Sequence, residues 1–207
     1  MLDTLKYFQN LLEDFYGAKT NLNVCDFVKF VENPSKLASM QVLQHNERRD
    51  IDLAILLDRD IFSASRPKSS MHWGIIAEEL SHFIYLAFNH RRGRDITSFE
   101  MELQSEIDRV VLAREFSSVE KRVSTAPTEF NAHHALRTLL TSPYEEGSIY
   151  EKSRILAAKY MKTFSSGDMT HFSSQEKQKL CDFFHSDLPK KLHLVRNSKE
   201  SSSSSDV

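Results

Sequence analysis

The stretch Trp73-Gly-Ile-Ile-Ala-Glu-Glu-Leu-Ser-His-Phe-Ile-Tyr-Leu-Ala-Phe88 determines how this chain folds and where its chemistry lies. It is apolar almost throughout, which predicts a buried helix from about residue 71 to residue 90. Its middle nevertheless carries Glu78, Glu79 and His82. Glu78 and His82 are four residues apart and therefore share a helix face. Because an unpaired charge in apolar surroundings costs several kcal/mol or more, this cluster needs a partner from elsewhere in the fold.

The next helix supplies further carboxylates at a matching spacing. A capping box, Thr97-x-x-Glu100, predicts that this helix starts at Thr97. Glu102 and Glu106 follow four residues apart, and a short connection makes the two helices antiparallel neighbours. No cation stands at the matching positions of this helix. Close carboxylates repel each other strongly in a dry interface, and a bound divalent cation would remove that repulsion.

This pattern resembles the gluzincin metallopeptidases, the thermolysin-like clan. That family carries His-Glu-x-x-His on one helix and a third ligand glutamate on a following helix, often within Glu-x-x-x-Asp. Here Glu78-Glu79-Leu80-Ser81-His82 lies over the first motif, and the segment from Glu102 to Glu106 lies over the second. The resemblance implies that Glu78, His82 and Glu102 are metal ligands and that Glu79 is the general base. It also implies that Glu106 is the acid behind the ligands, in a compact zincin-like fold.

The chain departs from the family at the first ligand, where Glu78 replaces a histidine. Two glutamates and one histidine place two negative charges on the metal, which lowers its Lewis acidity. Oxygen-rich ligation favours Mn or Fe over Zn, so we expect one divalent ion of these three. The expected function is metal-assisted hydrolysis of a peptide or small molecule, with Glu79 moving the proton. A catalytically impaired descendant that binds a protein partner is the other outcome of the same resemblance.

A second metal hypothesis uses Glu79-x-x-His82 alone. Di-iron carboxylate bundles need a glutamate from each of two helices and a Glu-x-x-His from each of two others. Further donors are available on later helices: Glu102, Glu106, Glu129, His133 and His134. However, Glu129 and His133 are four residues apart rather than three, so the second Glu-x-x-His motif is missing.

An interaction protein without metal is the third hypothesis. In that case the acidic cluster would be solvated or paired with an arginine, for which Arg91, Arg109 and Arg114 are the candidates.

Tyr144 and Tyr150 are polar residues that could line a cleft as oxyanion donors, although the default role of Tyr150 on an amphipathic helix is packing.

The remaining elements give the fold class as α+β, with a helix, a small three-stranded sheet and then about five helices. Apolar residues at three- and four-residue spacing predict a helix over 2–16, ending near Gly17. Strands are predicted at 24–31, 37–43 and 51–57, with a hairpin connection at 46–50. Later helices are predicted at 128–140, from Ser142-Pro143, and from Ser173 with its capping box. One globular domain over 1–197 and a disordered, Ser-rich tail over 198–207 complete the prediction.

Composition argues against several other functions. A formal net charge of -2 gives no long-range field for nucleic acid. Cys25 and Cys181 are far apart in the sequence, so neither a disulfide framework nor a cysteine zinc site is expected. The first residues lack the pattern of a secretory signal, and the motif helix is too polar at its centre to span a bilayer. We therefore expect a soluble, cytoplasmic protein without nucleic-acid or membrane partners.

Overall fold

An N-terminal helix, a three-stranded sheet and then further helices follow one another in this α+β chain, as predicted. The computed structural model describes residues 2–32, 38–45, 50–59, 70–120, 144–164 and 171–198. The elements within these ranges are α1 (Leu2–Tyr16), β1 (Val28–Val31), β2 (Ala38–His45), β3 (Asp50–Asp58), α2 (Ser70–Arg91), α3 (Ser98–Glu120), α4 (Ile149–Met161), α5 (Ser174–Phe184) and α6 (Leu188–Asn197). Two short 3₁₀ turns, Val24–Phe27 and Lys162–Phe164, precede β1 and follow α4.

The sheet has the strand order β1-β3-β2, with β3 in the centre. β1 pairs with β3 in parallel, and β2 pairs with β3 antiparallel, so that Ala38 lies opposite Leu57. The antiparallel pairing agrees with the predicted hairpin, although its connection at 46–49 lies outside the described residues. β2 is therefore an edge strand, and the side chains on one of its faces point towards the helices.

The predicted strand 24–31 is wrong in its first half, where the chain forms a 3₁₀ turn. Gln9 of α1 explains the difference, because its side-chain oxygen accepts a hydrogen bond from the Val24 backbone at 3.0 Å. The Asp26 N–H donates to the Asn23 carbonyl at 3.0 Å and closes the turn. A contact between distant parts of the chain thus overrides the alternating apolar pattern.

α2 lies at the centre of the molecule, packed against α1, α3 and the sheet. Side chains from every side of this helix are buried, among them Ala77, Leu80, Phe83, Ile84 and Tyr85. This all-round burial agrees with the predicted apolar helix. The helix ends at Arg91, and Gly93 follows with a φ of 68°, a left-handed conformation that suits glycine.

α3 runs antiparallel to α2 after a short connection, as predicted. Thr97 caps the helix, since its hydroxyl accepts a hydrogen bond from the Glu100 backbone at 3.1 Å. The Glu100 side chain does not complete the predicted capping box. Its carboxylate instead accepts hydrogen bonds from the Tyr85 hydroxyl and from Arg94. These contacts fasten the start of α3 to the end of α2.

The C-terminal helices differ from the prediction at two places. No helix starts at Ser142-Pro143 in the described part, because Tyr144 and Glu145 are irregular and α4 begins at Ile149 with Ser148 as its cap. Gly147, with a φ of 76°, interrupts the segment before it can become helical. The capping box at Ser173 is confirmed. α6 was not predicted as a separate helix, although its cap, Asp187, is followed by a proline at the second helical position.

Several predictions fall on parts of the chain that are not described. The predicted helix 128–140, with Glu129, His133 and His134, lies outside the described residues, as does the Ser-rich tail beyond Ser198. The single-domain assignment over 1–197 stays a prediction. Among the described helices, none has the length and apolar character needed to cross a membrane.

Candidate metal centre

Three side chains from α2 and α3 converge on one point. Glu78, His82 and Glu102 each offer one ligand atom, and these atoms all lie within 4.8 Å of one another. The spacing of four residues places the first two on one face of α2, and the antiparallel packing brings Glu102 opposite them. Among the described residues, these three form a group that could hold one metal ion. The predicted ligand set is therefore brought together.

His82 has an environment that is unusual for a core histidine. Its side chain is buried, and Nε2 lies 3.4 Å from an oxygen of Glu102. Nε2 nevertheless has no hydrogen-bond partner among the described residues. Burial alone would lower the pKa of His82, but the carboxylates of Glu102 and Glu79 outweigh it and raise the pKa to about 10. The surroundings of the imidazole therefore attract positive charge strongly.

Glu79 lies on the other side of the same imidazole. One of its oxygens is 3.6 Å from Nδ1 of His82, and its side chain is mostly buried. In metal sites, a carboxylate beside one ring nitrogen commonly orients the other nitrogen towards the metal. The contact adds an orienting role to the general-base role that the resemblance implies for Glu79. The orienting role requires Glu79 next to His82, where the structure places it, and the general-base role stays a prediction.

Glu78 is the most exposed of the three candidate ligands, with a side chain that retains 23% of its accessible surface. Burial raises the pKa of this carboxyl to about 7, although the positive charges of Arg109 and His82 act in the opposite direction. Two carboxylates about 5 Å apart repel each other by roughly 3 kcal/mol at an effective dielectric constant near 20. This repulsion opposes bringing Glu78 and Glu102 together, and the positive charges of His82 and Arg109 offset part of it.

The prediction that the next helix offers no matching cation is wrong. Arg109 of α3 approaches Glu78 at 3.8 Å and Glu106 at 3.1 Å. Glu106 and Arg109 are three residues apart and lie on neighbouring positions of the same helix face. The spacing pattern of the metal site did not include Arg109, although the interaction-protein hypothesis names it as a candidate partner of the acidic cluster.

The other two arginines that were candidate partners bind elsewhere. Arg91 donates to the backbone carbonyls of Lys19 and Thr20, the second at 2.7 Å. Arg114 donates to the backbone carbonyls of Phe164 and His171. Arg109 is therefore the arginine of these three that contributes to the acidic cluster.

Glu106 is held behind the three ligands and does not join them. Its carboxylate accepts hydrogen bonds from Tyr144 at 2.9 Å and from Arg109 at 3.1 Å. Burial raises the pKa of Glu106, while the Arg109 charge and the Tyr144 hydroxyl lower it. The hydrogen bonds that Glu106 accepts come from Tyr144 and Arg109, and its supporting role for the ligands stays a prediction. Tyr144 is thereby committed to Glu106 through its hydroxyl.

The three ligand side chains and Glu79 line an open cleft of about 520 Å³. One wall of the cleft is the edge strand β2, through Ala38, Ser39, Met40 and Val42. Helices supply the remaining wall residues, which are Ile75, Met101 and Tyr150. Val42 and Tyr150 are exposed at 41% and 37%, so the mouth of the cleft has an apolar rim.

A buried polar network supports the two helices behind the cleft. Asp108 accepts hydrogen bonds from Tyr16 at 2.6 Å, from Ser81 at 2.6 Å and from Gln104 at 2.8 Å. Gln104 in turn accepts one from the buried amine of Lys191. Ser81 directly precedes His82, and the network therefore joins α1, α2, α3 and α6 next to the candidate ligands. No role was predicted for these residues from the sequence.

Comparisons with protein families, with curated proteins and with solved structures found no match to this chain. The gluzincin resemblance consequently rests on the motif spacing alone. The di-iron hypothesis has no further support among the described residues, where the group of Glu78, His82 and Glu102 includes no second Glu-x-x-His motif.

Proposed function

We propose that this protein is a metal-dependent hydrolase of the peptidase type that holds one divalent cation with Glu78, His82 and Glu102. The observation that carries the proposal is the environment of His82 Nε2. This nitrogen is buried, has no hydrogen-bond partner in the part of the chain that the structure describes, and lies near two carboxylates on the wall of an open cleft. A buried polar atom without a partner is costly, and a metal ion would satisfy it.

The donor set favours a hard cation. Two carboxylates and one imidazole supply more oxygen than nitrogen, which suits Mn²⁺ or Fe²⁺ better than Zn²⁺. The two glutamates also neutralise the charge of a divalent ion. The bound metal would therefore be a weaker Lewis acid than a metal held by a site with two histidines.

The catalytic chemistry that we propose is hydrolysis. When bound, the cation would polarise the substrate carbonyl and acidify a water molecule. Glu79, beside His82 and open to the cleft, would accept the proton of the attacking water and return it to the leaving group. Tyr150 lines the same cleft and offers a hydroxyl for the developing oxyanion, whereas the Tyr144 hydroxyl is engaged by Glu106.

The shape of the cleft favours an extended peptide as substrate. β2 is an edge strand, and its residues from Ala38 to Val42 line the cleft beside the candidate ligands. A sheet edge presents backbone donors and acceptors that an extended chain can pair with. Met40, Val42 and Met101 would then contact apolar side chains of the substrate.

A second candidate function is that of a binding protein that has lost catalysis. The ion pair between Arg109 and Glu78 favours it, because a cation is already available to one of the three ligands. In this case the cleft would bind a partner without hydrolysing it.

Metal content of the purified protein tests the proposal. We expect about one equivalent of Mn, Fe or Zn by elemental mass spectrometry after reconstitution, and a loss of that metal in His82→Ala and in Glu102→Ala. His193→Ala is the matched control, since this histidine is exposed on α6 and should leave metal content unchanged. Two equivalents of iron would support the di-iron hypothesis instead. Absence of metal after reconstitution would contradict the proposal and leave the binding function.

A further inference from the structure

A glycine in α2 marks the place where Arg109 crosses from α3. Gly74 lies one turn before Glu78, in the interior of a helix, where glycine is less favourable than alanine. A Cβ atom built on Gly74 would lie 3.2 Å from Nη2 and 3.6 Å from Nε of Arg109. The guanidinium therefore packs against the α2 backbone, in space that any other residue would fill with its side chain.

From this position Arg109 contacts both a candidate ligand and the acid behind it. The distances from Nη1 are 3.8 Å to Glu78 and 3.1 Å to Glu106. Its side chain is 15% exposed, so solvent screens these contacts only partly. Arginine keeps its positive charge at all ordinary pH values. Glu78 thus has a permanent cation beside it whether or not a metal is bound.

We propose that Arg109 is an internal competitor of the metal for Glu78, a positioning residue that stabilises the metal-free protein and weakens metal binding. The inference rests on the proposed metal site. Attraction between the guanidinium and Glu78 is strongest when the carboxylate carries its full charge. A bound cation neutralises that charge and also repels the guanidinium. An interaction that is stronger in the free state than in the bound state lowers the affinity for the ligand.

The test is a titration of the purified protein with Mn²⁺ and with Zn²⁺, in competition with a chromophoric chelator. We expect Arg109→Gln to bind metal about tenfold more tightly than wild type and to melt at a lower temperature when metal-free. Arg109→Lys keeps the charge, and its metal affinity should stay within about threefold of the wild-type affinity. Arg92→Gln is the matched control, because it removes an exposed arginine at the end of α2 and should change neither quantity.

Gly74→Ala gives a second variant that leaves Arg109 in the chain. The added methyl group would lie 3.2 Å from Nη2 and would push the guanidinium aside by a few tenths of an ångström. Metal affinity should therefore rise in the same direction as in Arg109→Gln, but by less. In the Arg109→Gln background the same substitution should have no effect on affinity, because there is no guanidinium left to displace. If Arg109→Gln folds poorly, Gly74→Ala in the otherwise wild-type chain still tests the inference.

The outcomes separate this inference from the proposed function. If wild type binds metal, and both Arg109→Gln and Gly74→Ala bind it with equal or lower affinity, the competitor role is overturned and the metal site remains. A purely structural role would lower the melting temperature of Arg109→Gln without raising the metal affinity of either variant, and this also overturns the competitor role. Absence of binding in wild type and in both variants overturns the metal site and the competitor role together.

Discussion

His82 and Glu102 meet across the interface of α2 and α3, with Nε2 of the imidazole 3.4 Å from a carboxylate oxygen. The geometry is not that of a hydrogen bond, and Nε2 has no other partner in the described chain. The charge of the Glu102 carboxylate offsets part of the roughly 1–3 kcal/mol that an unsatisfied buried polar atom costs. His82 also lies beside Glu78 and lines an open cleft. This combination is typical of a site built for a ligand.

The first prediction separates the two roles of Glu79. If Glu79 is the general base, Glu79→Gln should retain its metal and lose peptide hydrolysis by a factor of about 10²–10⁴. If its main role is to orient His82 through Nδ1, the same variant should also lose metal affinity. The measurement is metal content together with hydrolysis of a peptide library by the same preparation. Full activity in Glu79→Gln would contradict both roles.

The second prediction concerns metal removal. A metal that binds only the folded protein stabilises it by about 2.7 kcal/mol at a free concentration one hundred times its Kd. For a chain of this size, that gain corresponds to about 5–10 °C in the melting temperature. Chelation should therefore lower the melting temperature of wild type by this amount, as measured by circular dichroism. His82→Ala should melt at one temperature with or without metal; a metal-induced shift in this variant would place the binding site elsewhere.

The parts of the fold that follow from local patterns were predictable from the sequence. α1 and α2 were predicted to within one residue at each end, because periodic apolar residues and terminal glycines depend on neighbours in the chain. The capping box at Ser173 was predicted for the same reason. The first half of the strand predicted at 24–31 was not, since the Val24 backbone is bound by Gln9 from another element.

The same distinction applies to the candidate site. Glu78, His82 and Glu102 could be found from spacing, because a helix face and a short connection bring them together. Arg109 could be named only as one of three candidate arginines, because an arginine side chain can extend in many directions from its helix. Gly74 was given no role. A glycine inside an otherwise strong helix was the available signal that another group approaches its backbone closely.

The third prediction concerns the buried network behind the site. Asp108 is almost fully buried and accepts three side-chain hydrogen bonds, from Tyr16, Ser81 and Gln104. Asp108→Ala leaves these three donors without their acceptor, and hydrogen bonds to a charged group contribute about 1.5–3 kcal/mol each. Allowing for relaxation, we expect a loss of about 3–5 kcal/mol in the free energy of unfolding.

Urea denaturation is the measurement, with Asp182→Ala as its control. Asp182 is exposed and accepts one side-chain hydrogen bond, from Gln178, so its removal should cost no more than about 1 kcal/mol. Similar losses in the two variants would show that the Asp108 network does not stabilise the packing of α2 on α3.

The fourth prediction is a pH dependence that originates at Lys191. This amine is fully buried, with the rings of Tyr85 and Phe183 at 4.7 Å and 4.5 Å. Burial lowers the pKa of Lys191 from 10.5 to about 7, although the negative charges of Glu100 and Asp108 raise it. Between about pH 7 and pH 10.5, Lys191 is protonated in the unfolded chain and has released its proton in the folded chain. The contribution of Lys191 to stability should therefore increase with pH over this window, by at most about 1.4 kcal/mol per pH unit.

Lys191→Met removes the titrating amine at similar volume, and Lys190→Met is the control because Lys190 is exposed on the same helix. The free energy of unfolding, measured in urea from pH 6 to pH 10, should rise less steeply with pH in Lys191→Met than in wild type. Below about pH 7 the amine is charged in both states, so the two curves should run parallel there. Lys190→Met should follow the wild-type slope throughout. Equal slopes in all three proteins would show that Lys191 keeps its proton in the folded state, held by Gln104 and the two aromatic rings.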